Sequence, residues 1–256
     1  MEKRTQTFGV HTYEVDAFGT IAIAALSGYL QEVAGQHAAA LGVGLETLMA
    51  RGLTWVLARQ RIENPVPIVV GDRLEIETWP AGIDRLAANR DFVVRRADGT
   101  EVARARTQWF VLDRETRRPV RPADVLDARF PRELSPPLIA LAPGKLPELR
   151  GWEVQKRFHV RYGDIDVNMH VTNTSYPTWA QEVVPREVFL TQRLASLEAQ
   201  FLAEAHYGSA ILSRLASTGE GAFAHAIVRE EDEKELARLA TRWVPRASAL
   251  VPSASR

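Results

Sequence analysis

The chain has 256 residues, of which 46% are apolar, so it can bury the core of one large domain or of two smaller ones. Its 32 basic residues equal its 32 acidic ones, and this balance excludes a global attraction to nucleic acid or to a membrane surface. There is no cysteine, which excludes disulfides, thiolate metal sites and a cysteine nucleophile.

The first residues are polar and charged, without the apolar segment of a signal peptide. No apolar run reaches the roughly 18 residues that a membrane helix needs. The sequence therefore predicts a soluble, cytoplasmic protein that binds neither nucleic acid nor membranes.

In chain order, the first predicted elements are a strand over 8–15 and a long helix over 21–41, which Gly42 ends. Apolar residues surround most of this helix, so we expect it to be buried. Four strands bounded by turn residues follow, over 54–62, 73–79, 89–96 and 101–112. One helix followed by antiparallel strands predicts an α+β unit in which a sheet wraps a central helix.

A connection over 113–149 follows, which contains seven prolines and is predicted to be partly helical near 123–128. After it the same order of elements recurs. The predicted elements are a helix over 176–190 and strands over 196–204, 209–216, 222–229 and 236–244. The tail over 246–256 is predicted to be disordered.

The two parts of the chain repeat each other at a fixed offset. Residues 150 apart match, as in Phe8 with Phe158, Val10 with Val160, Asp16 with Asp166, and Gln31-Glu32-Val33 with Gln181-Glu182-Val183. In the later strands the offset is 134, and it pairs Thr107 with Thr241 and Trp109 with Trp243. Self-similarity of this kind predicts an internal duplication. We call 1–112 the first repeat and 150–245 the second repeat.

One segment of the second repeat is rich in groups that can do chemistry. Asp166, Asn168 and His170 alternate along it, and alternate residues of extended backbone face the same side. They lie where a strand feeds a helix, so an imidazole, an amide and the helix amides near 173–175 could act on one oxyanion. The alternative is a structural loop of Asx turns.

This segment carries a family resemblance. The pattern Asp-x-Asn-x-His-Val-x-Asn over 166–173, with Tyr176 and Trp179-x-x-Glu182, resembles the signature of acyl-acyl-carrier-protein thioesterases. Stretches 54–59 and 109–119 are also similar to that family, so the resemblance covers roughly residues 5–245. It implies a tandem (double) hot-dog fold, in which each repeat wraps an antiparallel sheet around a long helix.

The resemblance also implies the activity. It is hydrolysis of fatty acyl-acyl-carrier protein, which releases a free fatty acid and ends chain elongation, with no cofactor and no metal. The implied partner is the acidic acyl carrier protein, which suits the excess of arginine over acids between residues 85 and 132. An acyl-CoA thioesterase and a non-catalytic acyl-binding regulator are the alternatives, and a homodimer is left open.

By the same resemblance, the catalytic residues are Asp166, Asn168, His170 and Glu204, the last on the first strand after the second helix. We assign Glu204, assisted by His170, to activating the attacking water. Asn168 then holds the water or the oxyanion, and Asp166 fixes the loop. Plant members often carry cysteine after the glutamate, whereas this chain has Ala205, so the reaction must use water or a carboxylate.

Glu182 competes for the carboxylate role, because other hot-dog thioesterases place an acid on the central helix. Its duplicate, Glu32, lies in a repeat that lacks the rest of the site, which favours a shared structural role for both. The remaining histidines show no metal-ligand spacing and are interpreted as structural. They are His11, His37, His159, His206 and His225.

The first repeat lacks the catalytic set, because the offset of 150 gives Asp16, Phe18 and Thr20 at the three loop positions. One active site per chain is therefore predicted, and the first repeat is free to accommodate the acyl chain. The predicted substrate-binding residues are Leu26, Leu30, Trp55, Leu57 and Asn173.

Overall fold

The computed structural model describes residues 2–126, 130–131 and 134–246. Within them the chain forms two compact units. Unit 1 comprises the chain up to Val10, Ser27–Val66 and Gly71–Leu141, and unit 2 comprises His11–Leu26, Pro67–Val70 and the chain from Ala142 onward. Each unit contains an antiparallel sheet and helix, which is the α+β class predicted from the sequence.

The sheet of unit 1 is built from the strands of the first repeat. Its elements are β1 (Arg4–Gly9), α1 (Ile23–Ala40), α2 (Leu45–Met49), β2 (Leu53–Glu63), β3 (Arg73–Asp84), β4 (Ala87–Arg96), β5 (Glu101–Asp113), β6 (Pro119–Val120) and α3 (Pro122–Val125). The strand order is β1-β3-β4-β5-β2, with β6 beside β5. Helix α1 is buried along Leu30, Val33 and Ala34, and its His37 meets Arg90 of β4 at 3.1 Å, so β4 lies beneath the helix.

The sheet of unit 2 has the corresponding order, β7-β9-β10-β11-β8. Its elements are β7 (Val154–His159), α4 (Ser175–Gln181), α5 (Arg186–Thr191), β8 (Gln192–Phe201), β9 (Ala210–Gly219), β10 (Ala222–Arg229) and β11 (Lys234–Pro245). Helix α4 is tied to this sheet because the Ser213 hydroxyl donates to the Trp179 carbonyl at 2.8 Å. The same succession of strands in both units is the structural counterpart of the sequence repeat.

The repeat extends to side-chain contacts on the last long strand of each sheet. The Trp109 indole donates to the Thr107 hydroxyl at 2.8 Å, and the Trp243 indole donates to the Thr241 hydroxyl at 3.2 Å. Both pairs therefore satisfy a largely buried indole N–H within the strand itself.

The first predicted strand and the second predicted helix were wrong in their extent. The first strand was expected over 8–15, but β1 is Arg4–Gly9 and a single 3₁₀ turn follows at Thr12–Glu14. The second helix was expected over 176–190, but it divides into α4 and α5. Pro185 is the cause, because it lacks an N–H and its ring clashes with the preceding helical turn.

The part of the connection up to Leu141 belongs to unit 1, and the part from Ala142 belongs to unit 2. The Leu138 amide donates to Asp91 at 3.4 Å, and the Arg61 guanidinium donates to the Ala140 carbonyl at 2.8 Å. The predicted helical stretch 123–128 corresponds to α3, although residues 127 and 128 lie outside the described residues. Of the tail predicted to be disordered, 247–256 lie outside them too, whereas Arg246 makes defined contacts described below.

No helix in the described part of the chain is both long enough and apolar enough to cross a membrane.

A buried histidine makes the stability of the fold dependent on pH. His225 lies on β10, where it contacts the Thr241 hydroxyl at 2.8 Å, and burial lowers its pKa from 6.5 to about 3. Between pH 6.5 and 3 the unfolded chain takes up a proton that the folded one refuses, so this histidine makes stability fall as the pH falls. Its share of that loss is about 2 kcal/mol at pH 5.

We therefore expect His225→Gln to lose less stability than the wild type between pH 7 and pH 5. Denaturant unfolding at both pH values measures the difference, with His11→Gln, at an exposed histidine, as the control. An equal loss for His225→Gln and the wild type would show that His225 is protonated without cost in the folded protein.

Candidate active site

The segment that carries Asp166, Asn168 and His170 is a tight turn between two bridged residues, Ile165 and Val171. The Asp166 amide donates to the His170 carbonyl at 2.8 Å. The Asp166 carboxylate accepts the backbone amides of Asn168 at 2.8 Å and of His170 at 3.3 Å. This one carboxylate therefore closes the turn and fixes the backbone of the other two residues.

The turn differs from the extended backbone that the alternation suggested. Met169 has φ 65°, in the left-handed region, which is unfavourable for a residue with a side chain. Asn168 is exposed and its amide nitrogen lies 3.4 Å from Asp166, while His170 is only 26% exposed and turns inward. The three side chains are thus gathered by the carboxylate rather than by strand periodicity.

The turn meets the segment that carries Glu204. The Val171 amide donates to the Ala205 carbonyl at 3.0 Å, so the residues before each, His170 and Glu204, become neighbours. His170 Nε2 lies 3.4 Å from Glu204 Oε2, and both side chains are partly accessible. Glu204 was predicted on a strand, but β8 ends at Phe201 and Glu204 lies in the loop that follows. An imidazole and a carboxylate at this distance can share a proton and activate a water molecule.

Asp164 holds the base of the turn. Its carboxylate, which is almost fully buried, accepts the Arg161 guanidinium and the Ser175 hydroxyl at 3.0–3.1 Å. Its carbonyl accepts the Thr172 amide at 2.8 Å. These contacts connect the end of β7 to the start of α4, on either side of the turn between Ile165 and Val171.

Tyr176 on α4 supports the Glu204 segment from the interior. Its ring meets Trp179 and Phe201 edge-on at 5.5 and 5.6 Å, and only 3% of the residue is exposed. Burial, followed by the Glu204 charge, raises the pKa of its hydroxyl, while a backbone hydrogen bond from Ala205 opposes that shift. The phenol is therefore neutral and ties α4 to the residue that follows Glu204.

Two further expectations concerned oxyanion donors and the competing acid. The Ser175 amide was expected to be a free donor, but it bonds to the Thr172 carbonyl at 3.0 Å, and that part of the expectation was wrong. Asn173 is half-buried beside it.

Glu182 is exposed just after α4 ends, as is Glu32 on α1, and no contact within the described chain joins Glu182 to His170. Glu204 is the acid next to the imidazole.

The first repeat forms the same turn, with Phe18 and Thr20 at the positions of Asn168 and His170. The Asp16 carboxylate accepts the Phe18 and Thr20 amides, both at 2.9 Å, as Asp166 does for its own turn. The Ile21 amide donates to the Ile68 carbonyl at 2.9 Å, matching the Val171–Ala205 bond, so Pro67 stands at the position of Glu204. This first-repeat turn, residues 16–20, belongs to unit 2.

A guanidinium closes the first-repeat turn. Arg246, just past β11, donates to the Asp16 carboxylate at 3.0 Å and to the Thr20 hydroxyl at 3.3 Å. Its guanidinium lies 3.9 Å above the centroid of the Phe18 ring, which meets Phe189 edge-on at 5.4 Å. Asp16 is the one first-repeat residue that matches the catalytic set predicted in the second repeat, and it serves as the counterion of Arg246.

The predicted substrate-binding residues are mostly buried. Leu26, Leu30 and Leu57 are at most 2% exposed. Trp55 is half-buried, and its indole donates to the Val43 carbonyl at 2.9 Å. No group of three or more histidines, aspartates or glutamates that could hold a metal occurs among residues 2–126, 130–131 and 134–246.

Most of the chain matches one protein family. Residues 2–129 match the acyl-ACP thioesterase N-terminal domain, and residues 150–245 match the acyl-ACP thioesterase C-terminal domain. The chain belongs to the acyl-ACP thioesterase family. The turn and Glu204 lie in the part that matches the C-terminal domain, and the first-repeat turn lies in the part that matches the N-terminal domain.

Two relatives of this thioesterase family member are plant proteins. It is 30% identical to the chloroplastic acyl-acyl-carrier-protein hydrolase FATB2 of Cuphea viscosissima, in an alignment that covers 97% of this chain and 65% of that protein. It is 31% identical to the chloroplastic palmitoyl-acyl carrier protein thioesterase of Cuphea hookeriana, covering 94% and 62%. The chain therefore spans less than two thirds of the length of these relatives.

Solved structures of the family share the fold. An acyl-ACP thioesterase from Bacteroides thetaiotaomicron superimposes with a TM-score of 0.85 at 24% identity, covering 94% of this chain and 98% of that one. The 12:0-ACP thioesterase from Umbellularia californica gives 0.82 at 24% identity, covering 95% and 98%. The tandem hot-dog fold predicted from the sequence is confirmed.

Two residues beside the site, and one at the first-repeat turn, were missed or dismissed from the sequence. Tyr176 was noted only as part of the motif, Arg246 was assigned to the tail, and His206 was interpreted as structural. His206 follows Glu204 by two residues, and its ring centroid lies 5.3 Å from that of His170. Its position two residues after Glu204 was the one signal in the sequence that places His206 near the site.

Proposed function

We propose that the chain hydrolyses the thioester of fatty acyl-acyl-carrier protein, which releases a free fatty acid and ends chain elongation. The observation that carries this proposal is the 3.4 Å approach of His170 Nε2 to Glu204 Oε2 in the part that matches the family's C-terminal domain. Thioester hydrolysis needs such a base beside a partly accessible surface, because water must reach the carbonyl carbon.

In the first step, a water molecule held by Glu204 and His170 attacks the thioester carbonyl. A new C–O bond forms while the proton of the water passes to the Glu204–His170 pair, and the carbonyl oxygen becomes an oxyanion. The Asn168 side-chain amide, next to the turn backbone that Asp166 fixes, is the proposed donor to that oxyanion. Since the chain has no cysteine, a thiol nucleophile plays no part.

In the second step the tetrahedral intermediate collapses. The carbonyl re-forms, the C–S bond breaks, and the leaving thiolate of the carrier takes the proton from the imidazolium of His170. The fatty acid and the free thiol leave, and the pair returns to its starting protonation. One water molecule is consumed for each thioester cleaved, and no cofactor takes part.

The carrier protein is the proposed partner. Four exposed arginines lie in and after the turn that follows β5, and they support binding of an acidic partner through charge complementarity. They are Arg114, Arg117, Arg118 and Arg121.

The test is to measure free thiol released from a saturated acyl chain on acyl carrier protein and, in parallel, on coenzyme A. The enzyme contributes no thiol of its own, so a thiol-reactive dye reports product alone. We expect a higher kcat/KM for the carrier-bound chain. Failure to hydrolyse either thioester would refute the proposed activity, and equal rates would refute the proposed carrier.

Chain-length preference is expected to depend on buried first-repeat leucines. Each buried methylene contributes about 0.8 kcal/mol, so one residue that lengthens or shortens the pocket changes the preference by several-fold per CH₂. We expect Leu30→Ala to shift the optimum toward longer chains. Rates over a series of saturated acyl chains measure it, with Leu197→Ala as a control, since both leucines are 1% exposed. A shift with Leu197→Ala alone would assign chain length to the second repeat.

A further inference from the structure

Four large apolar side chains are exposed around the turn that carries His170. They are Tyr162, Val167, Met169 and Tyr207, and each is between 68% and 88% exposed. Within the described chain none of these side chains makes a hydrogen bond, an ion pair or a ring contact. We call these four residues the apolar rim. Large apolar side chains grouped at a surface mark a place where another molecule binds.

Backbone hydrogen bonds hold together the three segments that carry the rim. The Val171 amide donates to the Ala205 carbonyl at 3.0 Å, and the Gly208 amide donates to the Val160 carbonyl at 3.2 Å. The histidine and the carboxylate of the candidate active site lie on two of the same segments. A thioester bound at this pair therefore has the rim as its neighbour at the protein surface.

The first repeat has the same backbone with smaller side chains. The counterparts of Tyr162, Val167, Met169 and Tyr207 are Thr12, Ala17, Gly19 and Val70. The first three follow from the offset of 150, and the last follows from the glycine that comes next in each repeat and donates to the carbonyl of the matching valine. At all four positions the larger side chain is in the repeat with the candidate active site. Because the two turns fold alike, the fold does not require that size.

Met169 is held in an unfavourable backbone conformation. Its φ is 65°, and the matching Gly19 has φ 74°. Each of these residues donates its amide to the carbonyl of the aspartate that begins its turn, Met169 to Asp166 and Gly19 to Asp16, both at 3.0 Å. Glycine adopts this conformation without strain, whereas methionine does not. The second repeat therefore keeps an exposed side chain in a strained position, and such strain is typical of functional sites.

The arginines closest to the rim are already ion-paired. Arg161, which precedes the rim, pairs with Asp164 at 3.1 Å. Arg229 donates to the Glu204 carbonyl at 3.2 Å and pairs with Asp232 at 2.7 Å. An acidic protein surface or an anionic membrane binds best to unpaired cations, whereas an uncharged ligand needs none. The rim is therefore suited to an uncharged, largely apolar ligand.

The pantetheine arm has this chemistry. It is the flexible, uncharged chain of amide and methylene groups, with a dimethyl branch, through which acyl carrier protein and coenzyme A both hold the acyl group. Tyrosine can bond an amide through its hydroxyl while its ring packs on apolar groups, and methionine adapts its shape to a flexible ligand.

We propose that the apolar rim binds the pantetheine arm of the thioester substrate. The hydroxyls of Tyr162 and Tyr207 bond the amides of the arm, and Val167 and Met169 pack on its methyl and methylene groups. The rim residues bind the substrate and take no part in proton transfer, so they act on KM. This inference rests on the proposed thioester hydrolysis.

The kinetic test replaces rim residues with their first-repeat counterparts, in the triple variant Tyr162→Thr, Met169→Gly, Tyr207→Val. We expect KM to rise roughly tenfold with kcat almost unchanged, because losing roughly 60 Å² of apolar contact lowers affinity about tenfold. The rise should be the same for thioesters of acyl carrier protein, coenzyme A and pantetheine itself. It should vanish for a thioester of ethanethiol, which has no arm. Tyr13→Thr is the matched control, because Tyr13 is an 81% exposed tyrosine at the first-repeat turn.

Three results would overturn the inference. An unchanged KM for the pantetheine thioesters is the first. A rise in KM for the carrier-protein thioester alone would assign the rim to the body of the carrier protein, and a lower oligomeric state of the triple variant with unchanged KM would assign it to a second copy of the chain. Met169→Gly alone controls for misfolding, because it removes strain and should leave the denaturant midpoint of unfolding no lower than that of the wild type.

A second measurement needs no activity. The chain has three methionines, Met1, Met49 and Met169, so NMR of the protein labelled at its methionine methyl groups gives few signals to assign. We expect millimolar pantetheine to shift the Met169 methyl signal and to leave that of Met49, on α2, in place. An unshifted Met169 signal would overturn the inference. A shift in a protein that cleaves no thioester would instead refute the proposed function alone.

Discussion

Replacing His170 with alanine is expected to lower kcat for hydrolysis of acyl-acyl-carrier protein by about 100-fold or more, because it removes a positioned base. The fold should survive, since the turn is closed by the Asp166 carboxylate on backbone amides and not by the imidazole. Steady-state kinetics, together with circular dichroism of the same preparation, measure both effects.

The control is His159→Ala, at an exposed histidine on the end of β7, which should keep its activity. A rate for His170→Ala within a few-fold of the wild type would overturn the active-site assignment. Loss of the dichroism signal in His170→Ala would show that His170 is needed for folding, and the loss of activity would then not identify it as the base.

Replacing Glu204 with glutamine is expected to be at least as damaging, because in the proposed reaction Glu204, 3.4 Å from His170, shares the proton of the attacking water and stabilises the imidazolium. Glutamine keeps the shape of the side chain but cannot accept a proton. Glu182→Gln is the matched control, because Glu182 is exposed just after α4 and matches Glu32 of α1 in the internal repeat. If Glu182→Gln abolished turnover while Glu204→Gln did not, the two carboxylate roles would have to be exchanged.

The pair should also behave as a unit. If His170 and Glu204 act in one proton transfer, the double variant should be little slower than the slower of the two single variants. Multiplied losses in the double variant would show that the two residues act in separate steps.

The sequence was informative wherever a local signal agreed with the tertiary structure. The strand predicted over 222–229 is β10 as observed, since it is bounded by turns and its neighbours on both sides are strands. The internal repeat then carried the architecture of one unit onto the other. It also misled, because one helix was predicted over 176–190 by analogy with the first repeat, although Pro185 interrupts it.

The candidate site was predictable only in part. The turn residues follow one another in the sequence, so the motif contains them, and Glu204 came from the resemblance. His206 lies 36 residues after His170 (206 − 170), and the two meet only because Val171 pairs with Ala205 and Val160 pairs with the Gly208–Ser209 turn. No spacing rule for a single chain expresses such a contact. The contacts of Arg246 could not be predicted for the same reason, since its partners Thr20 and Asp16 are 226 and 230 residues earlier.

The turn around Asp16 shows that the fold of the turn and its chemistry can be separated. An aspartate that closes the backbone leaves the side chains after it free to differ, and the two turns fold alike although one carries an amide and an imidazole and the other a ring and a hydroxyl. In the first repeat the same carboxylate instead pairs with Arg246. What both repeats share is the folded turn, and the proposed chemistry depends on side chains that only the second repeat carries.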